Sequence, residues 1–339
     1  MKIGISAAET SGDLLGAKLI ESLKKQNPDI SIEGLAGDKM VASGCEQLWD
    51  QKLVNVMGFS EVLKKLPSLL RLRKTIIEYF STKKPAVFIG VDAPDFNFLI
   101  EKKLKSKGVK TVHFISPSVW AWRQSRIKKI KQSTDLVLCV FPFEIDFYQK
   151  NQQKALFVGH PLADDIPLSS DKVAARQALG LPLNKKILAL MPGSRGGELS
   201  RLVEPFLLSA VELLDQDAEL HFVVPMISEK RTEQFNQLKQ KFAPNLAVTI
   251  ITNQTQQVMA ASDCLLMASG TVTLEAALVK RPMVICYKFN AFTYHMFKGL
   301  VKLQWFSLPN LLTKKTLVPE LLQGKVTVDN IVPLVKERL

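Results

Sequence analysis

A chain of 339 residues that is 47% hydrophobic can fill two cores of ordinary size, so disorder is not the default. Its net charge of +13 is spread over both halves, so anions are the expected partners: phosphorylated substrates, an acidic membrane face or nucleic acid. No apolar run reaches bilayer-spanning length, and Cys45, Cys139, Cys264 and Cys286 form no CxxC pair, which favours buried reduced thiols over a zinc ribbon or redox dithiol.

Residues Met1 to Ser6 enter a strand at once, without the layout of a signal peptide, so a cytosolic setting is expected. Apolar, β-branched runs predict strands at Ile3–Ser6, Ile32–Leu35, Ala86–Val91, Thr111–Ile115, Leu136–Val140 and Ala155–Val158. Further runs predict Ile187–Met191, His221–Val224, Ala247–Ile251, Cys264–Met267 and Met283–Tyr287. Helical patterns lie between most of them, as at Leu14–Gln26 and Arg231–Phe242. That alternation implies parallel sheets covered by helices on both faces. The polar stretch Pro161–Lys172, with Asp164, Asp165, Ser169, Ser170 and Asp171, sets the expected boundary between domains 1–164 and 165–339. The fold class is therefore α/β, as two doubly wound domains facing a central cleft.

In the first domain the loop after the first strand carries Glu9, Thr10, Ser11, Gly12 and Asp13. It is neither GxGxxG nor a Walker sequence, so a dinucleotide or ATP pocket is poorly supported. Glu9 to Gly12 would face the crevice, while Thr10, Ser11 and Asp13 equally suit helix capping. Asp92 stands immediately past a strand's carboxyl end and is a candidate general base, because a partly dehydrated carboxylate can take a proton from an attacking hydroxyl. Asp95, after Pro94, suits a cap. Ser116, Trp120, Trp122 and Arg123 precede the cations Arg126, Lys128, Lys129 and Lys131. They could stack on nucleobases, sit at a lipid headgroup layer, or form a solvated basic face with Ile127 and Ile130 turned inward. Residues Phe59–Phe80 hold more apolar surface than one core-facing stripe needs, interleaved with Lys64, Lys65, Arg71, Arg73 and Lys74, which suits a membrane interface.

In the second domain, the strand ending at Met191 empties into Pro192-Gly193-Ser194-Arg195-Gly196-Gly197 before a helix opens at Glu198. Strand, glycine-rich turn and helix start present free N–H groups and a helix dipole to an anion, and Arg195 adds a forked cation suited to a diphosphate. A second junction, Ser269-Gly270-Thr271, follows the strand at Cys264, and Glu275 on the helix after it is placed to accept two hydrogen bonds from a ribose diol.

The strings ETSGD, VMGFSEVL, VDAPDFN, SPSVWAWR, GHPLAD, PGSRGGE, ASGTVTLE and SLPNLL occur in an order that resembles lipid-A-disaccharide synthase over essentially the whole chain. The resemblance implies a GT-B glycosyltransferase of two Rossmann-like domains, the first facing acceptor and membrane and the second binding the UDP-sugar. It implies transfer of 2,3-diacylglucosamine from UDP to the 6-hydroxyl of 2,3-diacylglucosamine 1-phosphate (lipid X) at the cytoplasmic face of the inner membrane. The donor linkage is α and the product β, so a single inverting displacement is expected. Asp92 would be the base, Gly193 to Gly197 with Ser269 to Thr271 would hold the diphosphate, and Asn310 in SLPNLL would face the nucleotide. His160 in GHPLAD would reach the cleft. The apolar stretch Met296–Phe306 would add to the membrane face, and His113 would be a satisfied core histidine.

No cofactor and no metal is implied. Asp215-Gln216-Asp217 is a literal DxD, but it ends a helix before a strand, at the wrong edge of a sheet for a ligand. Expected partners are UDP-diacylglucosamine, lipid X and an anionic inner-membrane surface, with no nucleic acid and with a homodimer left open. Family members continue past the point matching Leu339 with helices that return towards the first domain. Two other readings compete: a GT-B enzyme acting on UDP-GlcNAc (a peptidoglycan transferase or a UDP-sugar epimerase), and a basic nucleic-acid-binding protein using Trp120 and Trp122.

Overall fold

An uninterrupted apolar strand has greasy side chains on both faces, so it is satisfied only in a sheet covered twice. The computed structural model, which describes residues 1–54, 59–120, 124–290 and 304–339 with the side chains of 59–65 excepted, arranges the chain in this way. Two compact units result, Met1–Pro161 and Leu162–Leu339.

The first unit holds a 7-stranded sheet of β1 (Lys2–Ala7), β2 (Ser31–Ala36), β3 (Glu46–Asp50), β4 (Val87–Val91), β5 (Thr111–Phe114), β6 (Leu136–Cys139) and β7 (Ala155–Phe157). Its strand order is β3-β2-β1-β4-β5-β6-β7, and each pairing is parallel. Helices α1 (Thr10–Gln26), α2 (Asp38–Ala42), α3 (Phe59–Lys83), α4 (Pro94–Lys105), α5 (Ile127–Ser133) and α6 (Phe143–Lys150) complete it. One face of the sheet packs Ile3, Ile5 and Ile89 against Ala17 and Ile20 of α1, and the other packs Phe88 against Phe80 of α3 and Ile100 of α4.

The second unit opens with α7 (Leu162–Asp165) and α8 (Lys172–Ala178). Its 6-stranded sheet has β8 (Lys186–Met191), β9 (Leu220–Met226), β10 (Val248–Thr252), β11 (Cys264–Ala268), β12 (Met283–Tyr287) and β13 (Glu320–Leu322) in the order β10-β9-β8-β11-β12-β13, again parallel. Helices α9 (Gly196–Gln216), α10 (Glu229–Phe242), α11 (Thr255–Ala261), α12 (Val272–Leu278), α13 (Leu308–Thr313) and α14 (Val328–Lys336) pack on it. In β8 the residues alternate between two cores. Leu188 and Leu190 meet Leu202 and Phe206 of α9, while Ile187, Ala189 and Met191 meet Val258 and Ala276 on the opposite side. Each buried large side chain stabilises the fold by about 1.5–3 kcal/mol, which is why the apolar run reads as one fully covered strand.

Several sequence expectations change. The division falls at Pro161/Leu162 rather than at 164/165, because Leu162 and Ile166 pack into the second unit's core. Strands β3 and β13 were not expected; they lie at sheet edges, and β3 buries no residue fully, so neither carries an apolar run. In α3, Leu69, Ile76 and Phe80 serve the core, whereas Leu66 and Leu70 remain 41% and 49% exposed. The four cysteines are free and buried, and burial pushes the thiols of Cys45 and Cys264 up to about 12. Among the described residues no helix is long and apolar enough to cross a membrane.

Gly34 gives the packing a sharp test. It sits at the register shift between β2 and β3 with φ +157°, and a Cβ there would land on the backbone carbonyl of Ile5 in β1. Backbone in a paired strand cannot yield, so Gly34→Ala is expected to lower the melting temperature by roughly 10 °C, whereas an unchanged melt in a calorimetric scan would contradict the β1–β2 register.

Candidate active site

Where strand order reverses in a doubly wound sheet, the loops on either side part and leave a crevice at the carboxyl edge. In the first unit the reversal lies between β1 and β4, whose following loops carry Glu9 to Gly12 and Asp92 to Asp95. The structure brings these together: Ser11 Oγ donates to Asp92 Oδ2 at 3.2 Å. Partial desolvation, and then the negative charge of Asp92, raise the Glu9 carboxyl above its ordinary range. Gly12 is buried, and a Cβ on it would lie 3.2 Å from the Val91 carbonyl, so it serves the close approach of α1 to β4. Asp13 caps the neighbouring α2 instead of its own helix, accepting from Gly37, Lys39 and Met40 N–H groups at 3.0 Å each.

Asp92 and Ala93 both adopt left-handed backbone, φ +51° and +41°. Each such residue costs about 1–3 kcal/mol and persists only where its surroundings over-determine it. Asn97 of α4 supplies the restraint. Its Nδ2 lies 2.9 Å from the Asp92 carbonyl and 3.1 Å from that of Val91, and its Oδ1 accepts from Ser6 Oγ at 2.8 Å. Asp92 N–H donates to Phe114 O at 2.9 Å. The candidate base is thus fixed from three strands. Beside it lies a depression of about 610 Å³, whose lining includes the polar Glu9, Thr10, Ser11 and Asp95 and the apolar Leu69, Ala93 and Phe96.

Other first-unit candidates turn inward. Ser116 is buried, its Oγ 2.9 Å from the Tyr148 hydroxyl, in a cluster with Glu144. Trp120 packs edge-on against Phe143 at 4.7 Å rather than standing free to stack on a ligand. His160 is half-buried with its ring against Phe141 at 5.6 Å, and burial lowers its pKa. Ile127 and Ile130 are buried as expected. Asp95 pairs with Arg126 rather than capping α4. His113 is only half satisfied: Nδ1 lies 2.7 Å from Glu101 Oε1, but among the described residues Nε2 meets no partner. Arg123, Trp122 and most of Met296–Phe306 lie outside the described residues.

In the second unit the reversal lies between β8 and β11, so Gly193 to Gly197 and Ser269 to Glu275 follow neighbouring strands at one edge. The two loops are not equally open. Glu198 folds back across the β8 turn, accepting from Ser194 N at 3.0 Å and Arg195 N at 3.1 Å. Those amides, expected to bind the diphosphate, are therefore occupied by a carboxylate. Gly193, at φ +113°, permits this, since a Cβ would strike the Glu198 carboxylate. Arg195 keeps one 3.3 Å contact with Glu198 but is 81% exposed, with most of its donors in solvent. Gln234 of α10 clamps the same turn, its Nε2 2.8 Å from Gly196 O, and Arg231 bonds to Gln234 at 2.6 Å.

The β11 loop is freer. Among the described residues the N–H groups of Gly270, Thr271 and Val272 make no hydrogen bond, and nothing lies within 4 Å of a Cβ placed on Gly270. Ser269 is tied back, its Oγ donating to Phe306 O at 3.2 Å. Glu275 is half-buried, which raises its carboxyl pKa. Asn310 corrects the expectation most clearly. It is fully buried, and its amide makes four bonds: Nδ2 to Val318 O and Glu320 Oε1, and Oδ1 from the Leu317 and Val318 N–H groups. It shapes the loop before β13, and its side-chain amide has no donor or acceptor left for a nucleotide. The DxD acids end α9, with Asp217 bonded to Lys186 at 3.2 Å.

Sequence reasoning missed Asn97, Glu198 as a closing group, Gln234 and Arg73. Asn97 did leave a signal, being a polar residue within the buried stripe Phe96, Ile100 and Leu104 of α4.

A family model described as lipid-A-disaccharide synthetase matches residues 3–337. The chain is 63% identical over 331 residues to the lipid-A-disaccharide synthase of Colwellia psychrerythraea, covering 98% of this chain and 84% of that one. It is 49% identical over 333 residues to that of Pseudoalteromonas translucida, covering 98% and 86%. Among solved structures, UDP-GlcNAc 2-epimerase from Neisseria meningitidis bound to UDP-GlcNAc matches with a TM-score of 0.60 at 13% identity over 99% of each chain. MurG from Acinetobacter baumannii matches with 0.59 at 12% over 99% of this chain and 90% of that one. At such identities the likeness speaks for the fold alone, which is GT-B.

Two stability predictions follow from the first unit. Asn97→Ala takes its side-chain contact from three carbonyls, those of Ser6, Val91 and Asp92, and from the Ser6 hydroxyl, and is expected to cost about 1–3 kcal/mol in denaturant unfolding; a variant as stable as the parent would contradict the restraint. Burial also pushes the Glu144 carboxyl up to about 7, outweighing its hydrogen bonds from Phe141, Ser116 and Trp120. The folded chain then holds a proton that the unfolded chain has lost above about pH 4.3, so this group's contribution falls between there and pH 7 and is level above. Glu144→Gln is expected to flatten that part of the stability–pH curve, and an unchanged slope would contradict the assignment.

Proposed function

Because the chain belongs to the lipid-A-disaccharide synthase family, we propose that it transfers 2,3-diacylglucosamine from its UDP conjugate to the 6-hydroxyl of 2,3-diacylglucosamine 1-phosphate. The family's activity is a glycosyl transfer in lipid A biosynthesis. The observation that carries the finer reading is positional: in each unit the residues suited to the chemistry follow the two strands that flank the reversal of strand order.

In the second unit the open Gly270 and Thr271 amides and the exposed Arg195 fork receive the diphosphate, and Glu275 accepts from the ribose hydroxyls. Glu198 fixes the β8 turn so that Arg195 projects outward. In the first unit Asp92 takes the proton of the acceptor's 6-hydroxyl as that oxygen forms its bond to the sugar's anomeric carbon. The bond from that carbon to the diphosphate breaks, and UDP leaves with the electron pair. Cationic donors at the diphosphate stabilise the charge that develops there. One displacement inverts the α linkage to β. Acyl chains on both substrates are drawn from an anionic membrane surface, which suits the exposed Leu66 and Leu70 of α3 and their basic neighbours Arg71 and Lys74.

The test is UDP release by the purified chain supplied with UDP-diacylglucosamine and lipid X, with and without chelator. Release is expected to survive chelator, and to fall by roughly 10²-fold or more in Asp92→Ala and by about 10²-fold in Arg195→Ala. Full activity in both variants would reject the site. Turnover of UDP-GlcNAc in place of the acylated donor would favour the epimerase or peptidoglycan-transferase reading instead.

A further inference from the structure

The first unit's depression contains a cation that nothing described so far uses. Arg73, on α3, lines it together with Glu9, Thr10, Ser11, Leu69 and Phe96. The guanidinium carbon stands 5.3 Å from the centre of the Phe96 ring, so an aromatic face fixes the plane of the group. Its Nε is shielded from solvent and, among the described residues, meets no hydrogen-bond acceptor. Stranded donors on a permanent cation are costly unless an oxyanion is meant to reach them. The nearby acids do not supply one: Asp95 acts on Arg73 through its charge but spends its hydrogen bond on Arg126, and Glu9 makes no hydrogen bond to Nε.

The surroundings restrict which oxyanion fits. The lining of the depression combines apolar side chains, with Leu69, Ala93 and Phe96 all less than a tenth exposed, and the Thr10 and Ser11 hydroxyls. Ser11 also touches Asp92. A ligand filling about 610 Å³ here would present a hydrocarbon chain to the apolar lining, hydroxyls to Thr10 and Ser11 and an anion to Arg73. We infer that this depression binds the acylated, phosphorylated acceptor sugar, and that Arg73 pairs with its phosphate and so makes the reaction selective for a phosphorylated acceptor. The inference rests on the glycosyl transfer proposed above. It adds an acceptor-binding residue, set on the phosphate-bearing end of a sugar whose hydroxyl meets Asp92. A guanidinium suits this task better than an ammonium, because its planar fork can bond two phosphate oxygens while its face stays on Phe96.

The experiment compares initial rates of UDP release in neutral detergent with 2,3-diacylglucosamine 1-phosphate and with the same sugar lacking its phosphate. The parent chain is expected to prefer the phosphorylated acceptor at least tenfold in kcat/KM. Arg73→Ala and Arg73→Gln should lose that preference through a raised acceptor KM while the donor KM stays at the parent value, which also certifies the fold. Arg73→Lys should recover part of it. Binding to phosphatidylglycerol vesicles should be unchanged in all three, which separates the acceptor's phosphate from a lipid headgroup. A preference that survives in Arg73→Ala and Arg73→Gln, or a loss confined to vesicle binding, overturns the inference and leaves the glycosyl transfer standing. A parent chain that releases no UDP from either pair overturns the transfer reading itself.

Discussion

In a parallel sheet every strand runs the same way, so every loop that follows a strand collects at one edge, and helix amino ends collect with it. Chemistry built on such a fold depends on keeping those few loops in shape at the point where strand order reverses. Both units obey this constraint. Each buries its strands on both faces, which leaves the loops at the carboxyl edge as the available surfaces, with those after β1, β4, β8 and β11 flanking the reversals.

The loops are held by buried polar side chains rather than by their own backbone. Asn97 reaches up from α4 to fix two left-handed residues that have no glycine to ease them. Glu198 reaches back from α9 to close a turn that would otherwise offer its amides to any anion. The consequence is a division within the second unit: the β8 turn contributes a projecting guanidinium, and the β11 turn contributes free N–H groups. Asn310, whose side-chain amide makes four bonds of its own, belongs with these supports.

Much of this was legible in the residues. Apolar runs marked the strands whose two faces are covered, and the small, polar turns after them marked the carboxyl edge. Edge strands β3 and β13 escaped because half-exposed strands carry no continuous apolar run. The direction of side chains escaped for a different reason. Ser194 and Arg195 offer their amides in sequence, but only the folded turn shows Glu198 taking them. Ser116 and Trp120 read as ligand contacts until Tyr148 and Phe143, distant in the chain, are seen packed against them. Arg73 looked like one more charge on an amphipathic helix, and its contact with Phe96 is a product of tertiary packing.

The central claim is that nucleotide recognition and proton removal belong to different residues on different units. Calorimetric titration of UDP alone tests it most directly. Asp92→Asn is predicted to bind UDP as tightly as the parent chain, whereas Glu275→Ala should weaken binding by roughly tenfold or more, the loss of a charge-assisted contact to the ribose. Equal weakening in the two variants, or none in Glu275→Ala, would contradict the account.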